Sequence, residues 1–244
     1  MSKLAGETEV GLYSAANQLM IPLQLIFDNI VISIFPVMCR KFEASLQSLQ
    51  QVTENLIELL VAIALPAVIC LFVLADSILL LLYGNLDFLH ASKVLQIVVW
   101  LPILAALKRV LGQVLWASQQ EKVSLRIAVI NTLISFVVGL LFISWFGLIG
   151  AAISAALAAL INFFQHYSPA TRLFPKISLV RLIWKPILAA SCMAIYLILM
   201  KDQRVFLAVL TASILYAFVL LAVSVWSVGG LNQLKLKYLY VWSE

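Results

Sequence analysis

Seven apolar stretches follow one another along the chain, at about 15–38, 56–83, 94–116, 123–146, 148–167, 182–200 and 205–228. A helix rises about 1.5 Å per residue, so each stretch of about 20 residues reaches across the 30 Å hydrocarbon core of a bilayer. Inside hydrocarbon a backbone must satisfy its own polar groups, and a helix does this within one segment. The sequence therefore predicts an all-α polytopic membrane protein of about seven transmembrane helices. Composition agrees: 64% of the 244 residues are hydrophobic and 11% charged, against about 25% charged in a soluble domain.

The formal net charge of +5 does not indicate a nucleic-acid partner. The basic residues form short clusters between apolar runs and make no continuous patch or recognition motif. Cys39, Cys70 and Cys192 lie in or beside apolar runs without metal-ligand spacing, and read as small buried hydrophobes.

Phe146-Gly147 separates two apolar runs that together are too long for one span, and glycine permits a reversal there. Pro22, Pro36, Pro66, Pro102 and Pro186 fall inside or at the ends of spans, where neighbouring helices can satisfy the freed carbonyls. Arg40, Lys41, Lys108, Arg109, Lys122, Arg126, Arg172, Lys176, Arg181, Lys185, Lys235 and Lys237 gather on one side of the predicted membrane, and Lys3, Lys93, Lys201 and Arg204 on the other. Positive residues favour the cytoplasm, so the expected orientation is N-terminus outside and C-terminus cytoplasmic. Trp116, Trp145, Trp184 and Trp226 fall near span ends, as an aromatic belt requires. The opening MSKLAGETEVGL carries two glutamates and lacks the basic-then-apolar pattern of a cleavable signal, so the helices themselves are expected to direct insertion.

No enzyme motif is present, and neither a cofactor nor a metal is expected. His90 and His166 are isolated in the sequence, Asp76, Asp87 and Asp202 stand singly, and no nucleotide or nucleophile fingerprint occurs. The chemistry rests instead on polar residues at membrane depth, which are costly there and usually functional. At 100° per residue, Gln24 and Asp28 fall within about 20° of Asn17 on the first predicted span. That stripe would line a water-filled cavity, or simply bind helices together by hydrogen bonds. Lys108, Arg109 and Gln113 occupy the cytoplasmic half of the third span. Facing a cavity, the two cations would attract an anionic head group; otherwise they snorkel to the surface. Ser124, Asn131 and Ser135 form a narrow arc read as helix packing. Gly150, Ser154 and Ala158, spaced by four, allow close helix approach.

Three segments in order resemble the C-terminal half of a polysaccharide flippase, from the oligosaccharidyl-lipid exporter branch related to multidrug and toxin extrusion transporters. VGLYSAANQLMIPLQLIFDNIVISIFPVMCRKF (Val10 to Phe42) carries Gly11, Tyr13, Ala15, Ala16 and Pro36 at matching places. LWASQQEK (Leu115 to Lys122) resembles the end of helix ten, and FGLIGAAISAAL (Phe146 to Leu157) the junction of helices eleven and twelve. The resemblance implies that the spans correspond to helices 8–14 of a fourteen-helix, two-lobe transporter. Residues 1–167 would supply five helices of the C-terminal lobe, and 168–244 two additional helices and a cytoplasmic tail. It implies transport of a polyprenyl-pyrophosphate-linked sugar across the bacterial cytoplasmic (inner) membrane by alternating access. The substrate-binding candidates are Lys108, Arg109, Gln113, Asn17, Gln24 and Asp28. The expected partners are membrane lipids, the lipid-linked sugar, and a second lobe from an N-terminal-half protein or a homodimer. On this resemblance Met1 corresponds to an internal position of a longer protein. The alternatives are a cation-coupled multidrug exporter using Asp28, and a non-transporting membrane remnant or scaffold.

Overall fold

The computed structural model describes residues 7–174, 178–200 and 205–228. Lys3, Lys176, Lys201, Arg204, Lys235 and Lys237 of the charge count, and Asp202, lie outside the described residues. Among those described, all regular structure is helical: α1 (Glu7–Gln18), α2 (Ile21–Ala44), α3 (Leu46–Val73), α4 (Ala75–Tyr83), a 3-10 turn (Leu86–Ala91), α5 (Ser92–Val98), α6 (Leu101–Ala117), α7 (Glu121–Leu173), α8 (Leu179–Leu199) and α9 (Val205–Val228). Six helical segments are long and apolar enough to cross a membrane. One of them, α7, has 53 residues and bends at Gly147, which adopts φ 54° and ψ −128°. With α7 doubled back, the described residues hold seven segments of membrane-spanning length and composition.

The reversal in α7 is a helical hairpin, as Phe146-Gly147 predicts. Residues 123–130 of its first limb share clefts with 161–172 of its second, so the limbs run antiparallel. Two features make so tight a turn feasible. Gly147 takes the left-handed φ that costs an L side chain about 1–2 kcal/mol. The Glu9 carboxylate of α1 accepts the Leu148 N–H at 3.0 Å, capping the second limb at the end where a helix favours negative charge. Gly150 then lets the limbs close: a Cβ there would overlap the Phe142 carbonyl of the first limb. Gly150→Ala is therefore expected to splay the hairpin and cost about 1–3 kcal/mol, as overpacking a close contact does. Thermal unfolding in mild detergent measures this; an unchanged midpoint would mean that the limbs do not need that approach.

Three predicted spans are less regular than the sequence suggested. The first is divided at Leu19–Met20. Pro22, at the start of α2, has no N–H to donate to the preceding turn, so α1 and α2 form separate helices. The second divides at Leu74 into α3 and α4, and α3 begins at Leu46, capped by the Ser45 hydroxyl that accepts from Ser48 N–H. The third begins with the 3-10 turn and breaks between α5 and α6 ahead of Pro102.

The core gathers around α3 and α6. α2 packs on both, α8 lies along α3, and α7 lies along α6. Leu56, Leu60, Val110, Leu111 and Val114 are almost wholly buried there. Leu125, Leu133, Phe136, Trp145, Phe206 and Phe218 remain largely exposed, as expected for side chains that face lipid. The last two helices attach by polar contacts as well as packing. Lys185 of α8 meets Glu58 of α3 at 3.5 Å, with both side chains nearly buried, and the Tyr216 hydroxyl of α9 donates to the Ala62 carbonyl at 2.8 Å. Lys185, counted among the charges of the cytoplasmic side, thus lies in the first turns of α8 against a carboxylate. The three cysteines are free, Cys70 buried and the other two partly so.

Candidate functional site

The four-residue spacing of α6 sets its inner face. Lys108, Gly112 and Trp116 are one turn apart, with Arg109 and Gln113 beside them, on a helix that packs against α2 and the α7 hairpin. Together with Ile32 of α2 and Ser124, Ala128, Asn162 and His166 of α7, these residues line a cavity of about 370 Å³. Phe35 of α2 meets Trp116 edge to face, with ring centroids 6.4 Å apart, closing one side.

The electrostatics of this cavity are carried by three groups. Arg109 Nη1 lies 2.6 Å from Asp28 Oδ1, with the side chains 38% and 29% exposed. This charge-assisted contact crosses from α6 to α2. Lys108, the next residue, forms no ion pair among the described residues. The cluster therefore carries two cations against one carboxylate and offers a net positive charge at membrane depth.

Neutral groups surround the pair. His166 is buried, and its Nδ1 lies 2.9 Å from the Asn162 carbonyl oxygen. A carbonyl only accepts, so Nδ1 carries the proton, and in the neutral ring Nε2 is left as an acceptor. The ring edge packs over Gly112, where a Cβ would stand 3.6 Å from His166 Cδ2, an ordinary van der Waals contact. The Gln113 Oε1 and Asn162 Oδ1 oxygens are withdrawn from solvent and have no hydrogen-bond partner among the described residues.

The sequence candidates thus divide. Asp28, Lys108, Arg109 and Gln113 come together, the first through its ion pair and the others in the cavity wall. Asn17 and Gln24 do not line that cavity. Asn17 lies on α1, beyond the break at Leu19–Met20, and donates to the Tyr13 carbonyl at 3.1 Å. Its alignment with Asp28 required a continuous helix. Gln24 stays on α2, one turn before Asp28, without a side-chain hydrogen bond. Asn162 and His166 are additions. His166 has no metal motif or nearby histidine to mark it, and its importance comes from a fold that brings residue 166 over Gly112.

The chain matches the lipid II flippase MurJ family over residues 2–229. It is 27% identical over 161 residues to the Probable low-salt glycan biosynthesis flippase Agl15 of Haloferax volcanii, covering 66% of this chain and 34% of that protein. Among solved structures it is similar to the lipid II flippase MurJ in its inward closed conformation, with TM-score 0.73 and 15% identity, covering 86% of this chain and 46% of the other. The chain thus spans about a third of the curated relative's length and about half of the solved transporter. Its helical, polytopic membrane fold and its match over residues 2–229 place the chain in the lipid II flippase MurJ family.

Proposed function

We propose that this chain is one lobe of a transporter that moves a polyprenyl-pyrophosphate-linked sugar across the cytoplasmic membrane of a bacterium, with its N-terminus outside and its C-terminus inside. The cavity that pairs Lys108 and Arg109 with a single carboxylate carries this reading. A pyrophosphate offers acceptors for both cations, and the Arg109 guanidinium can grip two of its oxygens at once. The lipid tail would leave through the apolar faces of the bundle. One of the named relatives is a lipid II flippase and the other a probable low-salt glycan biosynthesis flippase. The protein's part is to bind, orient and release, without bond chemistry. One lobe supplies one wall of a two-lobe pathway, so a second lobe, from an N-terminal half or another copy, completes it. Residues 1–167 act as the lobe proper, and 168–244 add the two further helices and tail.

Complementation tests this directly. The chain, alone and with an N-terminal half, is expressed in a bacterium lacking its lipid-linked sugar flippase, with membrane insertion confirmed. Rescue only with the partner half is the expected result. Failure in every pairing tried, with the protein inserted, would favour the remnant or scaffold reading.

The Asp28–Arg109 contact separates the flippase from a cation-coupled drug exporter. A coupling carboxylate needs to exchange protons or cations, whereas here Arg109 already occupies Asp28 at 2.6 Å. For a flippase Asp28 is a stand-in anion that the pyrophosphate displaces. Asp28→Asn is then expected to tighten binding of undecaprenyl pyrophosphate several-fold, the scale of a partly exposed ion pair of up to about 1 kcal/mol. A fluorescence displacement assay in nanodiscs reads it. Unchanged lipid binding combined with loss of cation-dependent efflux would support the exporter.

A further inference from the structure

Arg126 and Arg172 lie at the end of the α7 hairpin remote from Gly147, on opposite limbs, and line one open cleft of about 580 Å³. Both are exposed, and neither forms an ion pair among the described residues. The floor of the cleft is apolar, formed by residues that include Ile130, Ile161 and Phe164. On its wall, Gln165 Oε1 is withdrawn from solvent and has no hydrogen-bond partner among the described residues. The cleft is distinct from the Lys108–Arg109 cavity and shares no lining residue with it.

Two guanidinium groups at a helix end above an apolar trough between transmembrane helices ask for an amphiphile of opposite charge. Snorkelling accounts for one arginine reaching the interface. It does not account for two arginines flanking the same trough on antiparallel limbs. Ile130 lies one turn deeper than Arg126, about 6 Å at 1.5 Å per residue. A phosphodiester at the arginines would therefore drop its acyl chain onto Ile130, Ile161 and Phe164. We infer that this cleft is a binding site for an anionic phospholipid, such as phosphatidylglycerol, seated between the limbs of the hairpin.

The full chain, purified in mild detergent, is titrated with phosphatidylglycerol and separately with phosphatidylcholine of the same acyl chains, and bound lipid is counted by native mass spectrometry. The expected result is one phosphatidylglycerol retained about thirtyfold more strongly than phosphatidylcholine. This is the scale of two basic side chains acting on an anionic lipid at about 1 kcal/mol each. Arg126→Ala combined with Arg172→Ala should remove the preference. Ser168→Phe keeps both arginines but fills the cleft from an exposed lining position, and should remove the tightly held lipid. Equal retention of the two lipids by the wild-type chain would overturn the inference without any variant. So would a preference that survives either substitution, since the lipid would then be held elsewhere or only as part of the annulus.

Discussion

Replacing Lys108 and Arg109 together by alanine is expected to abolish rescue in the complementation assay and to weaken undecaprenyl pyrophosphate binding by at least about a hundredfold. Each cation would donate charge-assisted hydrogen bonds of about 1.5–3 kcal/mol to the pyrophosphate, and a loss of about 3 kcal/mol is already more than a hundredfold. The double variant also leaves Asp28 without its guanidinium, so a folding defect must be separated from a binding defect. Adding Asp28→Asn removes that stranded charge; if binding stays lost in the triple variant, the cations themselves hold the ligand. Arg109→Lys should fall between wild type and alanine, because an ammonium keeps the charge and loses the two-pronged grip. Full rescue by the double variant would remove the basis for the cavity as the substrate site and return both residues to the snorkelling reading.

The second large effect concerns stability. Glu58 and Lys185 hold opposite charges almost out of solvent, with their side chains 10% and 11% exposed. Lys185→Met takes the cation away from the Glu58 carboxylate between α3 and α8, and breaking such a buried pair typically costs about 3–5 kcal/mol. Pairing it with Glu58→Leu removes both desolvated charges, and replacement by apolar groups of similar size is often neutral or stabilising. A thermal scan in detergent should thus show the single variant melting well below wild type and the double variant near or above it. Equal destabilisation in both would mean that the pair matters through packing alone.

How much of this was legible in the sequence follows from what each feature depends on. The spans depend on local hydropathy, and all seven can be read directly. The hairpin turn could be read because glycine at 147 stands alone between two runs too long to be one helix. The cationic pair was visible as an anomaly of Lys108 and Arg109 within an apolar run. Its counter-charge was found only by half, since Asp28 was picked out while its contact with Arg109 was not. That contact joins residues 81 positions apart, which helical periodicity cannot relate. Glu58 and Lys185 are separated by 127 positions, and for the same reason the sequence shows the lysine only as a charge on the cytoplasmic side. Asn17 shows the opposite failure: a rule valid within one helix was carried across Leu19–Met20, where Pro22 interrupts the hydrogen-bond ladder. His166 gives no local signal, because it shares a cavity wall with Gly112 of another helix, 54 positions away.

The one-residue reversal at Gly147 has a practical consequence for mapping this protein in cells. Topology is commonly determined by placing a tag, a glycosylation site or a protease site in each exposed loop, and such probes need a stretch of chain that can leave the surface. Between the two limbs of α7 there is no such stretch: Leu148 N–H is held by Glu9, and Gly150 is pressed against Phe142. Reporters inserted at this turn would unfold what they are meant to locate, and a silent reporter there would be misread as a buried or cytoplasmic end. The 3-10 turn at Leu86–Ala91, with Leu86 exposed, is predicted to lie on the same side of the membrane and offers the better place for a label.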